Sequence, residues 1–74
     1  MTENVTDNIR KTAVEHFLQR VRDYFADTTV QGRIEKRGRF REAEWWLENV
    51  IGMSRQEITD LYTAEYWKQD KIQM

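Results

Sequence analysis

Apolar residues return every three or four positions along the first third of the chain: Ile9, Ala13, Val14, Phe17, Leu18, Val21, Tyr24 and Phe25. That spacing lines them up on one side of an α-helix. Thr6 or Asp7 can cap its start and the stripe stops at Ala26, so the pattern predicts a first helix over about 7–26. Asp7, one turn before Lys11, suits the first turn both as an ion pair and through the helix dipole. The opposite face, with Arg10, Glu15, Gln19 and Arg22, reads as solvated.

Beyond Ala26 the stripe lapses. Asp27-Thr28-Thr29-Val30-Gln31-Gly32, followed by Arg33-Ile34-Glu35-Lys36-Arg37-Gly38-Arg39, reads as a basic connection with room for one short turn. Structureless links of that length are uncommon in compact domains, so some order or a binding role is expected there. Phe40, Ala43, Leu47, Val50 and Ile51 then mark a second helix over about 39–51, and Gly52 is placed to close it in a left-handed conformation. Ser54-Arg55-Gln56-Glu57 is a capping box, with Met53 and Ile58 as its hydrophobic staple. A third helix therefore begins at Ser54 and follows Ile58, Leu61, Tyr62 and Tyr66 over about 54–68. The expected fold is an all-α, compact three-helix bundle in one domain, with frayed ends at 1–5 and 70–74.

Composition narrows this picture. With 74 residues, 39% hydrophobic and 34% charged, the chain is too polar for a membrane protein, and its nine aromatics make it too apolar for a disordered one. A chain this short hides only about 60% of the surface its unfolded form exposes. Cysteine is absent, so packing must hold the fold without disulfides or thiolate metal sites. Three Trp, three Tyr and three Phe carry much of that task. The polar, acidic N-terminus has no signal-peptide pattern, which gives a cytoplasmic expectation with no membrane partner. Twelve Lys and Arg against thirteen Asp and Glu leave a net charge of −1, so nucleic acid would have to be held by local charge.

Candidate chemistry is sparse. Ser54 is the only serine and His16 the only histidine, and without cysteine the usual nucleophile-and-base pairs cannot be assembled. A lone His16 beside Phe17 lacks the companions that zinc requires. Glu44 and Glu48 lie one turn apart, and solvation explains such a pair more simply than acid–base work. Gly32 and Gly38 are isolated, so no phosphate-binding loop is built from them. These readings predict a chain that is not an enzyme, with no cofactor, no metal and no small-molecule substrate.

Three features could carry binding. The segment from Phe40 onward resembles a DNA-binding helix-turn-helix, with Gly52 in the turn and Arg55, Gln56 and Thr59 offered to base edges. Glu57, Asp60 and Glu65 share that helix, and Glu48 stands where such motifs prefer a small residue. The second feature is the basic stretch, where Arg33, Lys36, Arg37, Arg39 and Arg41 could grip phosphates or an acidic protein, or could pair with nearby acids. The third is tryptophan placement. At about 100° per residue, Trp46 falls at the flank of the second helix's core direction and Trp45 nearly opposite it. Trp67 likewise points away from the Ile58, Leu61 and Tyr62 stripe. Surplus indoles are typical interface anchors, and Arg41 could stack on Trp45. Alternatively, a tail with Tyr66, Trp67 and Ile72 folds back over Trp45.

The run Phe40-Arg41-Glu42-Ala43-Glu44-Trp45-Trp46-Leu47-Glu48-Asn49-Val50-Ile51-Gly52-Met53-Ser54-Arg55 resembles part of the N-terminal helical domain of release-factor glutamine methyltransferases. Both pair an alanine-acid step and an aliphatic helix with a Gly-x-Ser-Arg turn. The resemblance departs from the family pattern at Trp45 and Trp46, where aliphatic residues are usual. The family's catalytic domain carries an Asn-Pro-Pro-Tyr motif, which a chain without proline does not contain. What the resemblance implies is a helical module that docks on protein, not methyl transfer. The leading expectation is accordingly a protein-interaction module that self-associates or docks through Trp45, Trp67 and Arg41. The alternative is a small nucleic-acid-binding regulator using Arg55, Gln56 and Thr59 with Arg33, Lys36, Arg37 and Arg39.

Overall fold

A computed structural model describes the backbone of residues 2–73 and the side chains of residues 7–68. The described residues form three helices and no strands: α1 (Thr2–Ala26), α2 (Val30–Trp46), which runs on into a π-helical turn (Leu47–Ile51), and α3 (Arg55–Gln73). The helices run up, down and up, as an all-α three-helix bundle requires. The frayed ends expected at 1–5 and 70–74, and the position of the Ile72 side chain, lie outside the described side chains.

The basic connection is not a connection. Only Asp27, Thr28 and Thr29 separate α1 from α2, and Arg33, Lys36, Arg37 and Arg39 all lie inside α2. The signal that starts this helix is Thr29, extended at φ −93° and ψ 146°, whose hydroxyl accepts from the Gly32 N–H at 3.1 Å. Asp27 sets the cap in place. Its Oδ1 accepts from the Thr29 N–H at 2.9 Å and from the Thr29 hydroxyl at 2.7 Å, while Oδ2 accepts from Lys36 Nζ at 2.7 Å. The apolar stripe lapsed because Val30 and Ile34, in the first turns of α2, point to solvent.

Phe40 is where the three helices meet. Its ring lies 6.4 Å from Phe17 and 5.2 Å from Tyr24 of α1, and 5.7 Å from Tyr62 of α3. Edge-on and tilted contacts of this kind add to the area they bury. Around this hub the core comprises Phe17, Val21, Phe40, Ala43, Leu47, Met53 and Ile58. Phe25 extends it toward the C-terminal half of α3, touching Tyr62 and Tyr66.

The turn into α3 follows the sequence reading closely. Gly52 has φ 86° and ψ 23°, and the Met53 N–H reaches the Leu47 carbonyl at 2.9 Å, closing the helix end. Ser54 Oγ accepts from the Glu57 N–H at 3.2 Å, and Glu57 Oε1 in return accepts from the Ser54 N–H at 3.4 Å. Met53 and Ile58 are both buried beneath this box. One expectation fails here: Val50 is 52% exposed, although its spacing pointed inward. The wider π turn shifts the residues after Leu47 out of the α-helical phase. Asn49, whose side chain donates to the Trp45 carbonyl at 3.0 Å, competes with the regular backbone bond at that point.

The polar face expected on α1 is also not wholly solvated. Arg22 Nε donates at 2.8 Å to Glu65, a buried carboxylate of α3, and Arg10 pairs with Glu57 at 2.8 Å. These two pairs clip α3 to α1 at both ends of their contact. Glu65 is thus an internal strut rather than a surface acid of α3.

Candidate functional site

The end of the bundle formed by α1, the close of α2 and the π turn carries a cluster of exposed apolar side chains. Trp45 is 56% exposed and Trp46 52%, with their rings edge-to-face at 6.1 Å. Beside Trp46, a depression of about 490 Å³ is lined by Ile9, Ala13, Trp46, Val50 and Ile51, together with Asn8 and Thr12. Ile9 and Val50 are themselves more than half exposed. The surface arises because α2 buries Phe40, Ala43 and Leu47, which turns Trp45 outward, and because the π turn then brings Val50 round toward solvent.

Trp45 is therefore placed as its helical angle predicted. Neither it nor Trp67 is enclosed: Trp67 is 56% exposed and packs edge-on against Tyr66 at 5.8 Å. The two do not form one surface. Trp45 adjoins Glu44, which holds Arg55 at the start of α3, whereas Trp67 lies about 18 Å further along that helix at roughly 1.5 Å rise per residue. Arg41 does not stack on Trp45. It lines a different cleft, and the guanidinium–ring contact present among the described residues is Arg33 over Tyr24, 4.8 Å from the ring centre.

That second cleft opens between α2 and α3 with a volume of about 450 Å³. Phe40 and Ile58 form its floor; Arg37, Arg41 and Glu44 line one wall, and Thr59 and Tyr62 the other, with Tyr24 at one end. Burial raises the Tyr62 phenol above its ordinary value, so it stays protonated and able to donate.

The residues proposed to read DNA are engaged with carboxylates. Arg55 Nη1 donates to Glu44 at 2.7 Å and to Glu48 at 3.2 Å, and the Glu44 bond holds its guanidinium above its ordinary pKa. Gln56 donates to Asp60 at 2.9 Å, while Thr59 lies in the cleft. Of the basic stretch, Lys36 is held by Asp27 and Arg39 pairs with Glu35 at 3.3 Å. The Lys36 bond draws the Asp27 carboxyl well below the usual carboxylate range, and the same bond raises Lys36. Arg33, Arg37 and Arg41 form no ion pair among the described residues.

Sequence reasoning missed Ile9, Val50 and Trp46 as a joint surface. The exposure of Val50 depends on the π turn, which apolar spacing does not reveal; the Asn four residues after Trp45 was its one local sign. Among the described residues, no three acidic or histidine side chains converge as a metal site would require, and no helix is long and apolar enough to cross a membrane. No family model, curated protein or solved structure matches the chain.

Proposed function

We propose that this chain is a non-enzymatic helical interaction module that associates with a second polypeptide, another copy or a different protein, through the surface centred on Trp45 and Trp46. The observation that carries the reading is the apolar depression lined by the half-exposed Trp46, whose ring packs against that of the half-exposed Trp45, on a domain with little core to spare. Exposed apolar patches of this kind mark contact sites in soluble domains. Tryptophan is also the residue most often found to anchor an interface.

The area sets the expected strength. Two half-exposed Trp side chains bring roughly 200 Å² of apolar surface, worth about 5 kcal/mol at 25 cal/mol per Å². Association itself costs about 4 to 15 kcal/mol, so the indoles alone give weak binding, and Ile9 and Val50 must share in the contact. The resemblance of residues 40–55 to a protein-docking helical domain supports the same reading. The helix-turn-helix alternative draws less support, because Arg55 and Gln56 already face Glu44, Glu48 and Asp60.

Sedimentation of the protein over micromolar to millimolar concentration, alone and with polypeptides that co-purify from a native extract, tests the proposal. Trp46→Ala and Val50→Lys should weaken association while leaving the helical circular dichroism unchanged. A monomeric mass throughout with no co-purifying polypeptide, or association indifferent to both substitutions, overturns it.

A further inference from the structure

Arg33, Arg37 and Arg41 stand at successive four-residue steps on α2, so their side chains share one face of the helix. Like charges at that spacing repel, and the other basic residues of α2 avoid the problem by pairing: Lys36 with Asp27, Arg39 with Glu35. Arg33 is placed over the Tyr24 ring. For Arg37 and Arg41 no acidic side chain plays this part among the described residues. Glu44, the nearest acid on the same wall of the cleft, is bound to Arg55 at 2.7 Å. Two guanidiniums thus border a cleft whose exposed lining is more polar than apolar, with Phe40 and Ile58 buried beneath it and two hydroxyl groups, Thr59 and Tyr62, on the facing wall.

We propose that this cleft binds a nucleotide, with its phosphate between Arg37 and Arg41 and its base laid against Tyr62 over the floor formed by Phe40 and Ile58. Guanidinium groups bind phosphate oxygens by paired, charge-assisted hydrogen bonds. The half-buried Tyr62 ring gives a flat base a face to lie against, and stacking on tyrosine accepts any base. An acidic peptide fits less well, since a carboxylate side chain brings charge without a flat body. The cleft volume, about 450 Å³, lies within the range of small-ligand sites. A single nucleotide is favoured over a long strand because Glu44 lines the cleft and, with Glu48 and the one Arg55 they share, leaves a net negative charge that disfavours further phosphates on that side. The site is separate from the depression beside Trp46: at about 100° per residue, Trp46 projects from α2 nearly opposite Arg37, whereas Trp45 follows Arg41 by one turn on its own side. Its failure would leave the interaction reading untouched.

Amide resonances of the intact protein, followed during titration with AMP, adenosine, ribose 5-phosphate and a short oligoadenylate, test this. AMP should shift Arg37, Arg41, Thr59 and Tyr62 saturably, and adenosine and ribose 5-phosphate should each bind about tenfold more weakly or worse. Arg37→Gln and Arg41→Gln, at exposed positions, should each weaken AMP binding by about tenfold, whereas Arg39→Gln should leave it unchanged. An oligoadenylate that binds only as well as AMP supports the single-nucleotide site; one that binds about a hundredfold more tightly, with a steep salt dependence, overturns it in favour of single-stranded nucleic acid. Absence of saturable shifts with AMP, or shifts that persist unchanged in both arginine variants, also overturns it.

Discussion

Replacing glycine by alanine inside a helix normally stabilises it by about 1 kcal/mol, because alanine loses less backbone freedom on folding. Gly32 and Gly38 both lie inside α2, yet the structure assigns their replacements opposite outcomes. A Cβ added at Gly38 meets nothing within 4 Å, so Gly38→Ala should give the full gain of about 0.8 to 1 kcal/mol. A Cβ at Gly32 would lie 2.6 Å from the Asp27 carboxyl carbon and 2.6 Å from Thr29 Oγ1, and closer still to Asp27 Oδ2. Those atoms are not free to yield. Asp27 is held by the Thr29 N–H, the Thr29 hydroxyl and Lys36, and Thr29 Oγ1 accepts from the Gly32 N–H itself. Loss of the Thr29 cap alone costs about 0.5 to 2 kcal/mol, which offsets at least half of the propensity gain and at the upper end reverses it. Equilibrium urea unfolding followed by circular dichroism should therefore place Gly38→Ala above Gly32→Ala by about 0.5 to 2 kcal/mol. The gap should narrow when both are made in an Asp27→Ala background, since residues in contact are energetically coupled. Equal stabilisation by the two alanines would show that Asp27 and Thr29 do not define the start of α2.

Four further outcomes follow from the same geometry. Gly52→Ala, at φ 86°, should destabilise by about 1 to 2 kcal/mol in the same unfolding assay. Glu65→Ala removes the buried acceptor of Arg22 and should cost about 1 to 3 kcal/mol, with Glu65→Gln milder; no loss in either would mean that the strut between α1 and α3 contributes nothing. The Asp27 carboxyl, drawn below its ordinary value of 3.8 in the fold, contributes stability that is fully present above that value and is lost as pH falls through its folded pKa. The stability difference between wild type and Asp27→Asn should thus be constant near neutrality and shrink only below about pH 4. Tryptophan emission should shift to shorter wavelength as protein concentration rises or a partner is added, and Trp46→Ala should abolish most of that shift; emission that never moves would deny Trp45 and Trp46 a role in contact.

Much of the fold was legible because its signals are local. The end of α1 at Ala26, the left-handed Gly52 and the Ser54–Glu57 box are each decided within a few residues and sit where the pattern placed them, whereas α1 begins at Thr2 rather than at a Thr6 or Asp7 cap, and Ile9 of its stripe is 56% exposed. The start of α2 was not, for a physical reason. Gly32 does not break the helix; it is the space that lets Asp27 and Thr29 close over the first turn. The charges that looked like a solvated linker are helical because Lys36 reaches back to Asp27 across that turn. Period alone also misplaced Val50, since a π turn changes the phase after Leu47 without altering composition.

The same two departures shape both candidate surfaces. Had residues 33–39 been a loop, Arg37 and Arg41 would share no fixed face; as part of α2 they stand one turn apart above Phe40, fixed against Tyr62. Had the α-helical phase run on past Leu47, Val50 would have joined the core rather than widening the patch beside Trp46. A helix that began later and stayed regular would bury more and present less. What the chain offers to another molecule is set by where α2 begins and where it ceases to be α-helical.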